Sequence, residues 1–224
     1  MGAKKKGMFI VFEGGDGAGK STQAARLAAW FAEQGYQVRT TFEPGDTAIG
    51  AKIREVVLNP DIEICPRAEV LLYCVDKAQH IYQVVKPALD QDHIVVCDRY
   101  VDSTIAYQGS GRVLTHEEVE HIAWWTVNNL VPDLTVLMDV PVDQGLTRKN
   151  LLTHTNETDL EFHERVRDYF LGLASTGPGR YLVVNGRDPM DDVTNQVREA
   201  VTDLIAHGHY SLAKEEVEDT VGTN

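Results

Sequence analysis

The sequence predicts an α/β fold, a parallel sheet of five strands with helices on both faces. Three observations carry that expectation. Short apolar runs alternate with longer segments of helical periodicity. The first such run opens into a glycine loop, Gly14–Gly15–Asp16–Gly17–Ala18–Gly19–Lys20–Ser21, which fits G-x-x-x-x-G-K-[ST]. A strand precedes that loop and a helix follows it, the setting that the motif needs.

Taken in order, residues 8–13 read as a buried strand. Residues 21–34 are rich in Ala and Leu and stop at Gly35, as a helix does. Residues 38–42 form a second strand, closed by the turn Glu43–Pro44–Gly45–Asp46. Residues 48–58 carry Ile49, Ile53, Val56 and Val57 on one side of a helix. Residues 67–89 read as a long helix, bent near Pro87. Its apolar residues cover more than one face, so it packs on two partners, for one of which another subunit is a candidate.

Residues 93–97 form the third strand, ending in Asp98–Arg99–Tyr100. Thr115 and Glu118 make a capping box for a helix with Val119, Ile122, Ala123 and Leu130 at helical spacing. A fourth strand (134–139), a short helix (142–152), a polar mobile stretch (153–159), a helix (160–175), a fifth strand (181–185) and an amphipathic helix (190–207) complete the series. The expected organisation is a basic arm (1–7), one domain (8–207) with a lid at about 146–160, and an acidic flexible tail (208–224). Ligands should gather beyond the C-terminal ends of the strands, where the glycine loop, Glu43–Pro44–Gly45 and Asp98–Arg99–Tyr100 converge.

A net charge of −13 argues against a protein that coats nucleic acid, but leaves room for a local cluster of cations. Cys65, Cys74 and Cys97 are odd in number and lie in apolar stretches outside any C-x-x-C pair. They read as reduced core thiols of a cytoplasmic protein. No apolar run approaches the ~18 residues of a membrane span. The lysines of residues 1–7 precede no apolar segment, so they are not a secretory signal, and Lys6 breaks the myristoylation pattern behind Gly2. His80, His116 and His121 do not form a metal-binding spacing.

The loop's chemistry follows from its spacing. Consecutive backbone N–H groups must point into one concavity, and glycines permit that. The helix that follows aims its free N–H groups and positive dipole end at the same place. Lys20 supplies a mobile charge for β- and γ-phosphates, and Ser21 offers a hydroxyl to Mg2+. Just past a buried strand, Arg99 is placed to fork onto phosphate oxygens, and Asp98 to hold magnesium directly or through water. The alternative for Asp98 and Arg99 is a local ion pair at the end of the sheet.

The run Asp98–Arg99–Tyr100–Val101–Asp102–Ser103–Thr104–Ile105–Ala106–Tyr107–Gln108–Gly109 resembles the D-R-Y-x-x-S-x-x-A-Y-Q-G segment of thymidylate kinases. Phe12–Glu13 with the glycine loop and Thr22–Gln23, Glu43–Pro44–Gly45–Asp46–Thr47 with Arg54, and Ala68–Glu69–Val70–Leu71–Leu72–Tyr73 resemble further segments of that family, in its order. So do Ala78–Gln79–His80, Pro132–Asp133–Leu134–Thr135 and Phe162–His163–Glu164–Arg165–Val166–Arg167. The resemblance runs from about residue 9 to 184. It implies a P-loop nucleoside-monophosphate-kinase-like fold with a short lid, transfer of the γ-phosphoryl group of ATP to dTMP, Mg2+ as cofactor, and a homodimer.

By the same resemblance, Gly14, Gly15, Asp16, Gly17, Ala18, Gly19, Lys20, Ser21 and Thr22 hold ATP. Tyr73 stacks on thymine, Lys77 contacts the base edge, and Ser103, Thr104 and Gln108 lie beside the acceptor. Tyr107 excludes a ribose 2′-OH. Asp16 lies near the sugar 3′-OH and the metal, with Ser21 and Asp98, and Phe42 walls the acceptor pocket. Lys20, Arg99, Asp16 and a lid cation carry the reaction. Some members place that cation inside the glycine loop. Here the corresponding residue is Gly17, which leaves Arg148 or Lys149.

The chain departs from the family in three places. Lys77 replaces the usual Arg, Phe42 replaces the Arg common before E-P-G, and the acidic Asn156–Glu157–Thr158–Asp159 stands where lid arginines are usual. Lys77 keeps open a related kinase with a shifted base preference. A P-loop switch ATPase acting through partners is the alternative of another class, and the absence of N-K-x-D weighs against its guanine-specific form. A catalytically weak nucleotide-binding protein is the last reading, motivated by the acidic lid.

Overall fold

Five parallel strands form the centre of the computed structural model, which describes residues 5–110, 114–148, 157–208 and 210–214. The strands are β2 (Met8–Glu13), β3 (Val38–Phe42), β4 (Ile94–Asp98), β5 (Leu134–Asp139) and β6 (Tyr181–Asn185), and their order in the sheet is β3-β4-β2-β5-β6. The strand pattern of β2 explains both layers. Met8, Ile10 and Phe12 face one core with Leu27 and Phe31 of α1 (Lys20–Glu33) and Val193, Val197 and Val201 of α9 (Met190–His207). Phe9 and Val11 face the other core, against α3 (Pro66–His80), α5 (Val101–Gly109) and α6 (His116–Thr126). A third cluster seats α8 (Glu157–Thr176) on β5 through Val166, Phe170 and Leu137. The chain leaves β2 toward β3 on one side and later crosses to β5 on the other. The resulting switch point lies at the C-terminal end of β2.

Several boundaries differ from the sequence expectation. The long helix is interrupted, and the interruption comes before Pro87. A π-turn, Ile81–Val85, lets the Lys86 N–H reach the Ile81 carbonyl before α4 (Lys86–Asp90) begins. Proline has no N–H and its ring crowds the preceding turn, so the wider turn accommodates it. The capping box at Thr115 forms as expected, yet α6 ends at Thr126. Asn128 and Asn129 take left-handed φ of 52° and 53°, which places Leu130 beyond the helix. Cys65 is exposed in the turn before Pro66 and is not a core thiol, unlike Cys74 and Cys97. Helix α7 spans Val142–Arg148, and Lys149 lies outside the described residues. The expected mobile stretch (153–159) is in its last part the first turn of α8, and residues 153–156 lie outside the described residues.

The expected fraying tail is partly folded. Tyr210–Ser211 (β7) pairs in parallel with Lys5–Lys6 (β1), and Tyr210 and Leu212 pack against the α1/α9 core. The Gln37 N–H donates to the Ala213 carbonyl at 2.9 Å, and Lys214 Nζ lies 4.3 Å from the Tyr36 ring centroid. The alternation of apolar and polar residues at 210–212 gives this segment something to bury that the acidic run after it lacks.

Candidate active site

The glycine loop is held by close backbone contacts. Gly14 has φ 132°, and a Cβ there would come within 2.5 Å of the Met138 carbonyl oxygen. Gly17 has φ 71°, and a Cβ there would lie 1.9 Å from the Gly145 carbonyl oxygen of α7. A Cβ at Gly145 would in turn lie 2.3 Å from the Asp16 carbonyl oxygen. Loop and lid-side helix thus touch backbone to backbone, which no other residue type at 17 permits without displacement. No side chain caps the start of α1, so its N–H groups stay open to an anion.

Lys20 Nζ donates to the carbonyls of Gly14 and Gly15, at 2.9 and 2.7 Å. Burial, and next the Arg99 guanidinium, depress its pKa to about 7 against the pull of Asp98, Asp16 and Glu13. This is an ammonium group kept short of counter-charge, where a phosphate would restore it. Ser21 Oγ donates to Asp98 Oδ2, and Asp98 Oδ1 is buried with no hydrogen-bond partner among the described residues. An unmet carboxylate oxygen beside a hydroxyl is the hard oxygen donor set that Mg2+ takes.

At the end of β4 the backbone turns sharply, and Arg99 takes the left-handed φ of 71°. Its guanidinium donates to Asp16 Oδ1 at 3.0 Å and to Ser103 Oγ at 3.1 Å. It also lies 5.1 Å from the Tyr107 ring centroid. The ion pair of Arg99 is therefore with Asp16 of the loop, not with its neighbour Asp98. Tyr107 OH donates to the second oxygen of Asp16 at 3.2 Å. Burial raises the Tyr107 pKa above its usual value, so the phenol stays a donor.

Glu43 is buried and anchors a network of polar side chains. It accepts from Lys77 Nζ, and its Oε1 lies 2.7 Å from His80 Nδ1. His80 Nε2 lies 2.6 Å from Thr41 Oγ1, which donates to Asp46 Oδ2 at 2.6 Å. Burial alone would raise Glu43, but Lys77 and His80 outweigh it and hold its pKa below the usual carboxylate value. Lys77 also donates to the Tyr100 carbonyl at 2.9 Å. The side chain expected at the base edge thus lines the pocket with its ammonium group already paired beneath it. Sequence reasoning placed the Glu43–Pro44–Gly45 turn at the site and quoted Ala78–Gln79–His80 for its resemblance, but gave neither Glu43 nor His80 a role. Their contact with each other, and that of Glu43 with Lys77, joins residues 37 and 34 positions apart, which no local pattern shows.

Two cavities meet here. One, of about 280 Å³, is lined by Asp16, Tyr73, Ser103, Thr104, Tyr107 and Gln108 among others. The other, of about 830 Å³, runs along the loop from Gly17 to Thr22 and includes Asp98 and Arg148. Glu43, Arg54 and Arg99 line both, so two guanidinium groups stand on the wall between them. Arg54, quoted above only for its place behind E-P-G, is anchored to the Pro44 carbonyl at 2.7 Å. Phe42 lines the loop-side cavity and not the smaller one, with Arg54 5.8 Å from its ring centroid. Arg148 reaches that cavity while donating to the Gly186 carbonyl at 3.1 and 3.2 Å.

Comparison with known proteins agrees along most of the chain. A family model described as thymidylate kinase matches residues 12–197. A thymidylate kinase of Cutibacterium acnes is 50% identical over 200 residues, 89% of this chain and 98% of that protein. One of Clavibacter michiganensis subsp. michiganensis is 46% identical over 208 residues, 90% of this chain and 98% of that one. Among solved structures, thymidylate kinase from Ehrlichia chaffeensis superposes with a TM-score of 0.72 at 32% identity, covering 88% of this chain and 99% of that chain.

Proposed function

Since this chain belongs to the thymidylate kinase family and transfers the γ-phosphoryl group of ATP to dTMP, giving dTDP, we propose how its own residues divide that reaction. The observation that supports the division is the pair of arginines on the wall between two cavities. ATP lies along the glycine loop, with its β- and γ-phosphates on Lys20 and the open N-terminus of α1. The base and sugar of dTMP fill the smaller cavity against Tyr73, Ser103, Thr104, Tyr107 and Gln108. The acceptor phosphate meets Arg54 and Arg99, where it faces the γ-phosphate.

The acceptor needs no general base, because the second pKa of a phosphomonoester is ~6. The work is to bring two polyanions into line and to stabilise the charge between them. Arg99 does this at the transferring group, aimed by Asp16 and Tyr107. Arg148, at the mouth of the loop cavity, is the candidate for the lid cation, since a side chain at position 17 is excluded by Gly145. Ser21 and Asp98 would hold Mg2+. The ion, when bound, neutralises charge on the β- and γ-phosphates. Asp16, whose carboxylate oxygens accept from Arg99 and Tyr107, orients that arginine.

Coupled ADP release with dTMP, dUMP, dCMP, dGMP and UMP in parallel tests the assignment of the acceptor cavity. dTMP should be the best acceptor. dUMP and UMP differ only in the 2′-OH, so their rate ratio isolates the role of the Tyr107 ring. Tyr107→Ala should reduce that ratio about tenfold by making room for the hydroxyl. An unchanged ratio would remove Tyr107 from sugar selection.

The proposal includes a homodimer across α3. Leu71 and Val75 of α3 and Tyr82 of the π-turn that follows it are 51%, 50% and 79% exposed and recur at helical spacing, and Trp125 of α6 is 73% exposed. The adjoining face of α3 is already buried through Val70 and Cys74. An apolar, self-complementary stripe is what a two-fold interface takes. Val75→Asp should convert a dimer into a monomer in sedimentation velocity. A wild-type chain that sediments as a monomer at micromolar concentration would sink this part. Among the described residues no helix is long and apolar enough to cross a membrane, and a cytoplasmic location is part of the same proposal.

A further inference from the structure

Glu13, the last residue of β2, is fully buried, and sequence reasoning gave it no role. A carboxylate at the end of a core strand has to be satisfied, and this one is satisfied by a single neighbour turn. Its Oε1 accepts from the backbone N–H groups of Tyr100 and Ser103, at 2.8 and 3.1 Å. Its Oε2 accepts from Ser103 Oγ at 2.5 Å. The same Ser103 oxygen accepts from Arg99 Nη1 at 3.1 Å. Serine has one proton. Given to Glu13, it leaves the lone pairs of the hydroxyl for the guanidinium.

From this geometry we propose that Glu13 is a positioning residue for Arg99, acting through Ser103 from inside the core. The proposal rests on the reading of Arg99 as the cation at the transferring phosphoryl group. Arg99 is held at two points. Asp16 holds it from the glycine loop, and Ser103, polarised by Glu13, holds it from α5. The two supports come from different elements and lie on different nitrogens of the fork, so they fix its orientation as well as its place. Glu13 also ties two separate pieces of backbone together. It lies directly before the glycine loop, and its acceptors reach the turn where Arg99 adopts its left-handed φ. Its charge faces Asp102 and Arg99 as well as Lys20 at the start of α1, and burial followed by Asp102 pushes its pKa up to about 7. Assays at about pH 8 therefore keep it ionised.

The competing view is that Glu13 only caps α5. Glu13→Gln separates the two. Glutamine keeps the shape and an oxygen for the Tyr100 and Ser103 N–H groups, so the cap remains. Its NH2 now faces the Ser103 oxygen as a donor, the negative charge is gone, and the hydroxyl no longer has an acceptor for its proton. Arg99 then shares the serine oxygen with a second donor and loses the polarisation that Glu13 gave it, so its support from α5 is weakened while Asp16 remains. The expected result is a fall in kcat of about tenfold, the scale of one charge-assisted hydrogen bond, with KM for ATP and the melting temperature near wild type.

A double-mutant cycle completes the test. Ser103→Ala should lower kcat similarly, and Glu13→Gln should add nothing to it. Glu13→Gln should also add nothing in an Arg99→Ala background. Multiplicative effects in either background, or a Glu13→Gln protein with wild-type kcat, would overturn the proposal. If Arg99→Ala by itself left kcat unchanged, the reading of Arg99 would fall first and this proposal with it. If Arg99→Ala is severe and the cycle is additive, only the proposal falls.

Discussion

Arg99→Ala is expected to lower kcat by about 10³-fold, the scale of losing a cation at a transferring phosphoryl group. Three features of the structure support that reading of Arg99. It lines both cavities, it is oriented by Asp16 and Ser103, and the Tyr107 ring covers it. The backbone needs its own control, because φ 71° costs any residue with a Cβ roughly 1 kcal/mol, and alanine loses the guanidinium contacts that help to hold Arg99 there. Arg99→Gly relieves that strain and removes the same guanidinium. Equal rate losses in the two variants would assign the effect to the side chain. Arg99→Lys should recover little, since a point charge cannot reach both Asp16 and Ser103 as the fork does. Single-turnover kinetics with saturating ATP and dTMP would read the chemical step, and a kcat within a few fold of wild type would dismiss Arg99 from catalysis.

Lys20→Ala is expected to reduce kcat/KM for ATP by a comparable factor, about 10³ or more. Lys20 is buried at the floor of the loop, held by two carbonyls and deprived of a full counter-charge. In the proposed division of the reaction, such an ammonium would bind the phosphates of the transition state more strongly than water does. The fold should tolerate its loss. The variant gives up two hydrogen bonds but also the desolvation of a charge, so its melting temperature should stay within a few degrees of wild type. A folded Lys20→Ala protein with intact turnover would leave the loop without its assigned function.

The sheet was legible because its strands are apolar runs set between helical segments, and the cores on both faces follow from the alternation in β2. The glycine loop and Arg99 were legible because each sits in a local pattern beside a strand end. What was hidden depends on contacts between distant residues. The segment 101–109 was quoted for its resemblance and not read as a helix. Its start is satisfied by Glu13, 87 and 90 positions earlier, and not by a local cap. Lys77 gives the same lesson. Its neighbours in the chain describe an apolar helix, while its ammonium group is committed to Glu43 and to the Tyr100 carbonyl. The folded part of the tail was missed because acidic composition outweighed two apolar side chains, Tyr210 and Leu212, that find a place on the core.

The backbone contact between Gly17 and Gly145 makes two distant positions a single unit of sequence. A Cβ at 17 would lie 1.9 Å from the Gly145 carbonyl oxygen, and one at 145 would lie 2.3 Å from the Asp16 carbonyl oxygen. A loop arginine at position 17 would need both a side chain on a left-handed backbone and a retreat of α7. Replacing either glycine alone should therefore displace the loop, and only a paired change that also moves α7 would admit a side chain there.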